Sequence, residues 1–185
     1  EIEHEEAIKL LLARVLAAPA FLYKLETPPQ GRDAAPVNDL ELATRLSYFL
    51  WSSLPDEALR DVAESGRLHE PDILYQQTKR LLDDPRTRRL AVQFGAQWLH
   101  LRNFDTNDDK NEALYPEFAQ LRGPMYEEIV LYFEDFFRND RSILELIDSN
   151  HTFLNEALAR HYGIEGITGD QWQRVENVRL RSRGG

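Results

Sequence analysis

Apolar side chains recur every three or four residues along most of this chain, and this spacing limits its fold more than any other feature. Five apolar residues near the start show the pattern clearly: Ile8, Leu11, Leu12, Val15 and Leu16. They fall on one face of a single helix. Proline and glycine interrupt the pattern at short intervals, so each apolar stripe ends before the next begins. The pattern predicts amphipathic helices that bury their stripes against one another.

The predicted helices have recognisable ends. Asn38 is positioned as an N-cap, while Gly66 and Gly163 are positioned to end helices. Residues 171–183 have no helical period. The predicted helices cover approximately residues 3–18, 38–52, 55–66, 71–82, 87–101, 116–139, 142–147 and 153–162. We therefore predict an all-α domain, an irregular or orthogonal bundle of about seven helices with a non-helical C-terminal tail.

Changes in composition divide the chain into parts. These are an N-terminal helical segment, a proline-rich linker, a main helical domain and a truncated basic tail, covering residues 1–26, 27–37, 38–165 and 166–185. In the tail, Val175 and Val178 belong either to a strand whose partner lies beyond the chain or to a ragged terminus. The first residue is Glu1 rather than Met, so we expect a piece of a longer protein.

Composition disfavours several function classes. The formal net charge of −10 disfavours general nucleic-acid binding and binding to anionic membranes, because both require a basic surface. The chain has no cysteine, so it offers no disulfide, thiol nucleophile, zinc finger or c-type haem attachment site. It also has no apolar run long enough to span a membrane.

The densest group of hard oxygen ligands lies in the acidic loop 103–116. Asp105, Asn107 and Asp109 match the first three liganding positions of an EF-hand loop, and they are the candidate calcium ligands. The match then fails, because Lys110 stands where the turn glycine is needed and Pro116 where the bidentate glutamate is needed. A calcium site of another geometry and a solvated acidic loop both stay open.

Other catalytic and metal motifs are weak. No two histidines have the short helical spacing of a zinc site, and no nucleophile elbow, phosphate loop or dinucleotide fingerprint occurs. His100 and His161 lie near predicted helix ends, where structural roles are expected, although either is a conceivable non-covalent haem ligand. A carboxylate-bridged di-iron site is disfavoured because a good Glu-x-x-His motif occurs only at residues 1–4.

Two aromatic-rich helical segments stand out, at residues 46–51 and 94–99. Tyr48, Phe49 and Trp51 in the first segment belong either to the core or to a groove that holds a sugar or an aromatic ligand. In the second segment, Gly95 weakens the helix and is expected to let a neighbouring helix approach closely.

These segments also carry a family resemblance. The sequence LATRLSYFLWSSLPD at residues 42–56 is followed by FGAQWL at 94–99, then FLNE at 153–156 and HYG at 161–163. This series resembles the planctomycete-type domain of unknown function DUF1592 over about residues 39–164. Residues 6–25 resemble the end of the small domain that usually precedes it, and residues 183–185 the start of the one that follows.

The resemblance implies large secreted or envelope proteins of planctomycetes and related bacteria. These are often fused to a cytochrome-c-like module and sometimes to modules like carbohydrate-binding ones. The resemblance implies a periplasmic or extracellular location, with haem c carried elsewhere in the parent protein and no cofactor in this chain. It implies no activity and transfers no catalytic residue.

Three functions follow as hypotheses. The leading one is a non-catalytic scaffold or interaction module whose partners are neighbouring domains of the same polypeptide, with polysaccharide as a further candidate. The second is part of an extracytoplasmic oxidoreductase or polysaccharide-processing enzyme, which a deep pocket gathering Trp51 or Trp98 with His100 and carboxylates would favour. The third is carbohydrate binding alone, which requires exposed, coplanar Tyr or Trp rings.

Overall fold

The computed structural model describes residues 3–23, 35–106, 110–111 and 113–178, and within these residues the chain is mostly helical, as predicted. Two short strands in the described part, β1 (His151–Leu154) and β2 (Gln173–Glu176), form an antiparallel sheet. The α-helices are α1 (His4–Leu16), α2 (Pro19–Leu22), α3 (Asp39–Trp51), α4 (Glu57–Glu64), α5 (Pro71–Asp83), α6 (Arg88–Leu90), α7 (Ala96–Trp98), α8 (Phe118–Arg138), α9 (Glu145–Asp148) and α10 (Glu156–Tyr162).

Local capping explains where several of these helices begin and end. The Asn38 side chain accepts a hydrogen bond from the Glu41 N–H at 2.8 Å, and the Glu41 carboxylate accepts one from the Asn38 N–H at 3.1 Å. This reciprocal pair is a capping box, and it confirms Asn38 as the N-cap of α3. Gly66 and Gly163 follow helices at φ +72° and +69°, a conformation that glycine adopts without strain.

The helix predicted over 87–101 is broken into several kinds of turn. A 3₁₀ turn (Pro85–Thr87) leads into α6, a π-helical turn (Ala91–Gly95) follows, and α7 completes the segment. The π turn packs against α8. A Cβ atom on Gly95 would lie 2.6 Å from the ring of Phe133 in α8, so only glycine fits this backbone position without a shift of the ring. The expected close approach at Gly95 is therefore confirmed.

The region after α9 differs from the sequence-based expectation. The helix predicted to start at Phe153 starts at Glu156 instead, and Phe153 lies in β1. The tail strand exists, but its partner is β1 within the chain, with Thr152 opposite Val175, so a partner beyond the chain was the wrong prediction. Val175 and Val178 are buried with Leu154, which explains why this pairing is stable. A domain boundary after residue 165 stays a prediction, while residues up to 178 contribute to this core.

The buried residues form three neighbouring clusters. The first, here called the Trp51 core, lies among α3, α4, α5 and α6 and comprises Ala43, Leu50, Trp51, Leu59, Ala63, Leu68, Leu81 and Leu90. The second joins α8 and α10 to the two strands through Leu121, Leu154, Leu158, Ala159, Ile164, Val175 and Val178. The third joins the π turn to the middle of α8 through Ala91, Val130 and Phe133.

The N-terminal segment is different. The helix α1 forms close to its predicted bounds, but none of its residues is buried, and its apolar side chains are exposed. The predicted linker 27–37 lies outside the described residues except for its last three positions. No helix in the described ranges is long and apolar enough to cross a membrane.

Candidate functional site

The first aromatic-rich segment contributes to the core through Trp51. This side chain is fully buried, and its indole N–H donates to the main-chain carbonyl of Leu81 at 2.8 Å. The guanidinium carbon of Arg86 lies 3.4 Å from the centroid of the indole ring, a cation–π contact. Tyr48 and Phe49 are instead about half exposed on the outside of α3. The core interpretation is confirmed for Trp51.

The second segment opens onto a cavity. Trp98 is 55% exposed, and its ring meets Phe133 edge to face with the ring centroids 6.4 Å apart. Both side chains line a cavity of about 390 Å³ between α8, β1 and the ends of α7, α9 and α10, here called the α8 cavity. Its other aromatic and apolar lining residues are Leu99, Phe104, Met125, Ile129, Tyr132, Leu146, Tyr162 and Val178.

One face of α8 supplies the floor of this cavity. Met125, Glu128, Ile129, Tyr132 and Phe133 line it, and they follow each other at the three- and four-residue spacing of a single helix face. Four of these side chains are apolar or aromatic, and the fifth is a carboxylate. A carboxylate within an apolar stripe is uncommon because burial of its charge is costly without hydrogen-bond partners.

Glu128 has such partners. It is 5% exposed, and its two carboxylate oxygens accept hydrogen bonds from different elements. The Thr152 hydroxyl of β1 donates to Oε1 at 2.5 Å, and the Tyr162 hydroxyl of α10 donates to Oε2 at 2.9 Å. Glu128 therefore joins three elements, α8, β1 and α10.

His151, at the start of β1, is the second buried polar residue of the site. Its ring stacks on Tyr132 with the centroids 5.2 Å apart, and Tyr132 Oη donates to the main-chain carbonyl of Glu145 at 2.6 Å. Burial lowers the pKa of His151, and the positive charges of Arg174 and Arg141 lower it further. The imidazole is therefore held in its neutral form at neutral pH.

An ionic cluster lies behind His151. Arg141 Nε lies 2.6 Å from Asp135 Oδ2, and Arg141 Nη1 lies 3.5 Å from Glu145 Oε2. His151 Nε2 is 3.2 Å from the same Asp135 oxygen, but the two atoms do not form a hydrogen bond. The cluster ties the end of α8 to α9 and β1.

Ser149, His151 and Asp135 have the composition of a catalytic triad but not its geometry. The Ser149 hydroxyl lies 3.1 Å from His151 Nδ1, yet it also lies 3.0 Å from the His151 carbonyl, to which it donates, and it accepts from the His151 N–H at 3.2 Å. A triad serine gives its proton to the histidine, and the acid orients the ring through a hydrogen bond. Here the serine closes a turn before β1, so a structural role is favoured.

Asp105, His100 and His161, which the sequence singled out, do not line the α8 cavity. Asp105 is exposed, while Asn107 and Asp109 lie outside the described residues, so the calcium site stays a prediction. Within the described ranges, no group of three or more His, Asp or Glu side chains is placed to hold a metal ion. His100 is exposed at φ +57°, and His161 is exposed with Nδ1 3.8 Å from Glu117 Oε2.

The α8 cavity has only part of the pocket that would favour the enzymatic hypothesis. It gathers Trp98 with the carboxylates of Glu128 and Glu145, but its histidine is His151 rather than His100, and Trp51 lies in the core. Sequence reasoning missed Glu128 and His151. For Glu128 a signal was present, since it falls on the apolar stripe of α8, three residues after Met125 and four before Tyr132. For His151 no local pattern gave a comparable signal.

The chain matches a known protein family. Residues 37–164 match the family model described as PSD4, Protein of unknown function (DUF1592). No curated protein and no solved structure matches the chain. The matched region covers more than half of the chain and includes both aromatic-rich segments, the π turn and all of α8 and α10, whereas β2 lies beyond its end. The chain thus belongs to the DUF1592 family of proteins of unknown function.

Proposed function

We propose that this domain is a non-catalytic binding module of a larger bacterial envelope protein, and that its binding site is the α8 cavity. The observation that carries the proposal is the cavity itself, about 390 Å³ of space bounded by aromatic side chains and a buried, hydrogen-bonded carboxylate. Small-molecule sites in proteins are concave, mostly apolar and supplied with a few fixed polar groups. The α8 cavity has each of these properties.

Hydrogen bonds hold side chains of the cavity wall in place, which favours a binding role over a gap left by imperfect packing. Glu128 is fixed by hydroxyls from β1 and α10, and Tyr132 is fixed by the carbonyl of Glu145. Groups held in place before binding lose little conformational freedom when a ligand arrives. A cavity left by poor packing would not require such buried polar contacts.

The wider setting rests on the family resemblance. We propose that neighbouring domains of the same polypeptide are the macromolecular partners, that the parent protein is periplasmic or extracellular, and that any haem c is carried on another domain. The exposed apolar side chains of α1, outside the matched family region, are consistent with contact to such a neighbour.

The binding role is tested by filling the cavity. A soluble set of small amines, alcohols and aromatic compounds is screened against the chain by protein-detected NMR, with thermal shift as a second readout. We expect the NMR chemical-shift changes to concentrate at Trp98, Ile129 and Tyr132. Ile129→Trp places a large ring in the cavity and is expected to abolish these shifts.

The matched control is Ile143→Trp, because Ile143 is 73% exposed and does not line the cavity. This variant is expected to bind as the unmodified chain does. The proposal is overturned if no compound binds, or if Ile129→Trp folds and binds as well as Ile143→Trp.

A polysaccharide-processing role is the second candidate. The observation in its favour is that Glu128 and Glu145 line the same cavity, and glycoside hydrolysis uses a pair of carboxylates. The test is hydrolysis of aryl glycosides and oligosaccharides, compared among the unmodified chain, Glu128→Gln and Glu145→Gln. Turnover that both variants lose would establish this role over the non-catalytic one.

A further inference from the structure

We propose that the α8 cavity takes the hydrocarbon chain of a neutral, unbranched amphiphile such as a long-chain alcohol, and that Met125 sets the length of chain that fits. This ligand class deepens the proposed function and rests on it, because it concerns the same cavity. Two features of the structure support it. The polar side chains of the wall contact other protein groups, and a second cavity adjoins the first along α8.

The carboxylates of the wall already have protein partners. The hydroxyls of Thr152 and Tyr162 donate to Glu128, and Glu145 Oε2 lies 3.5 Å from Arg141 Nη1. A cationic ligand would have to compete with these contacts. An anionic ligand would meet no cation on the wall, because none of its described lining residues is lysine or arginine. A neutral chain avoids both costs, since it loses no hydration of a charged group on entry.

The histidine of the wall is engaged in the same way. Ser149 Oγ lies 3.1 Å from His151 Nδ1, and the His151 ring stacks on Tyr132. His151 Nε2 is buried against Asp135 Oδ2 at 3.2 Å, so this nitrogen is closed to a ligand in the cavity. What the wall offers is mostly apolar surface, because ten of its fifteen described lining residues are aliphatic or aromatic. Burial of hydrocarbon against such a surface is favourable.

A second cavity, of about 410 Å³, lies beside the first part of α8 and is here called the Phe118 cavity. Its lining residues are Leu114, Tyr115, Pro116, Phe118, Leu121 and Met125, together with the polar residues Lys110, Glu117 and His161. Met125 lines both cavities. The ring of Phe104, which lines the α8 cavity, meets the ring of Phe118 edge to face with the centroids 5.8 Å apart. The two cavities are therefore neighbours along α8.

The combined space is suited to an extended molecule. The lining residues of α8 run from Phe118 to Phe133, a span of about 22 Å at the rise of an α-helix. Each cavity alone has a volume near the lower end for small-molecule sites. An extended chain can occupy both, whereas a compact molecule with the same atoms occupies one. The polar residues Lys110, Glu117 and His161 of the Phe118 cavity provide a place for the head group.

Met125 controls the passage between the cavities. Its side chain is half-buried where the two cavities adjoin. Methionine is unbranched and has three rotatable bonds, so it adapts to a neighbouring chain more readily than a branched or aromatic residue. We therefore expect a larger, stiffer side chain at this position to shorten the longest chain that fits, and a smaller one to lengthen it.

The test uses a homologous series of neutral probes, from butan-1-ol to decan-1-ol, titrated into the chain by protein-detected NMR. We expect affinity to rise about 3- to 4-fold for each added methylene, the value for burial of one such group, and to stop rising when the space is full. Octan-1-ol should bind about 10-fold more tightly than its branched isomer 2-propylpentan-1-ol. Octylammonium and octanoate, at fixed ionic strength, should bind no more tightly than octan-1-ol.

Three variants locate the chain. Met125→Phe should make affinity stop rising at a shorter chain, and Met125→Ala at a longer one. Leu114→Trp places a ring in the Phe118 cavity at a position that is 71% exposed, so it does not put folding at risk. It should weaken decan-1-ol binding and leave butan-1-ol unchanged. The matched control is Ile143→Phe, because Ile143 is 73% exposed and lines neither cavity.

The outcomes distinguish failure of this ligand class from failure of the proposed function. If other compounds bind in the α8 cavity but the branched isomer or a charged probe binds more tightly than octan-1-ol, the neutral chain is overturned and the binding module stands. If the limiting chain length is the same in both Met125 variants as in Ile143→Phe, the role of Met125 is overturned. If no compound binds at all, both proposals are overturned.

Discussion

The Trp51 core and the α8 cavity are both built around large aromatic side chains, but they use them in opposite ways. In the Trp51 core the indole is completely buried, its N–H is satisfied by the Leu81 carbonyl, and Arg86 covers one ring face. In the α8 cavity Trp98 is 55% exposed, and the rings of Phe133 and Tyr132 stand around about 390 Å³ of space.

The difference teaches which aromatic side chains stabilise the domain and which are available for binding. Protein interiors normally pack to the density of organic crystals, so a fully buried ring with a satisfied polar atom contributes to folding. A ring at the edge of an open space makes fewer contacts and contributes less to folding stability. We therefore expect substitutions in the two regions to separate stability from binding.

The largest expected effect is the loss of the Trp51 ring. Trp51→Ala leaves a cavity in a closed core and the Leu81 carbonyl with one donor fewer, so we expect a loss of about 3–5 kcal/mol in unfolding free energy. Urea denaturation measures this value, and Trp51→Phe provides a milder variant if the alanine form does not fold.

The matched change in the other region is Trp98→Ala. Because this ring is more than half exposed, its removal should cost less than about 1 kcal/mol while weakening ligand binding in the α8 cavity. Equal stability losses for the two tryptophans would contradict the contrast between a closed core and an open site.

The next effect concerns the π turn beside the cavity. Gly95→Ala places a Cβ atom 2.6 Å from the Phe133 ring, and we expect the resulting shift to cost about 1–3 kcal/mol. A second substitution, Phe133→Leu, makes room for the methyl group. The double variant should therefore lose less stability than the sum of the single losses in a double-mutant cycle. Additive losses would show that the close approach does not set the cost.

A smaller expected effect distinguishes the two regions by the pH at which each loses folding stability. The Arg86 guanidinium lowers the pKa of Asp84, which borders the Trp51 core, to about 2. A carboxyl with a depressed folded-state pKa stabilises above its unfolded pKa, and this contribution is lost as pH falls through about 2. We expect Asp84→Asn to lose about 1 kcal/mol of stability at pH 6 after solvent screening, and little at pH 2.

Denaturation at several pH values measures this difference, with Asp83→Asn as the control because Asp83 is exposed. A stability difference for Asp84→Asn that does not change between pH 6 and pH 2 would contradict the ion-pair explanation.

In the cavity region the acid response is expected at higher pH. Burial lowers the pKa of His151, so the unfolded chain takes up a proton before the folded one does. Stability is then lost as pH falls below about 6.5, the unfolded value for histidine. His151→Gln should flatten this part of the stability curve, while the exposed His100→Gln should not. NMR titration of the His151 ring gives the direct measurement, and a pKa at or above the unfolded value would contradict the prediction.

Several features of the fold were predictable because their causes are local. The capping box at Asn38, the positive-φ glycines Gly66 and Gly163 and the apolar stripe of α8 are each set by residues within a few positions. The helical class of the domain and the interpretation of Trp51 as core also follow from such patterns.

The wrong predictions concern contacts between residues that are distant in sequence. The pairing of β1 with β2 joins Thr152 to Val175 across α10, and neither strand has enough alternation to reveal the other. The helix start predicted at Phe153 fails for the same reason, since the pairing overrides a local helical pattern.

The sequence by itself determined which segments are helices and where most of them begin and end, because backbone hydrogen bonds, caps and apolar spacing act over a few residues. It also carried the series of motifs by which the chain resembles its family. The tertiary structure alone decided that Trp51 closes a core while Trp98 borders a cavity, and that Glu128 of α8 meets Thr152 and Tyr162. These contacts depend on how helices and strands distant in sequence pack together, and no local pattern encodes that packing.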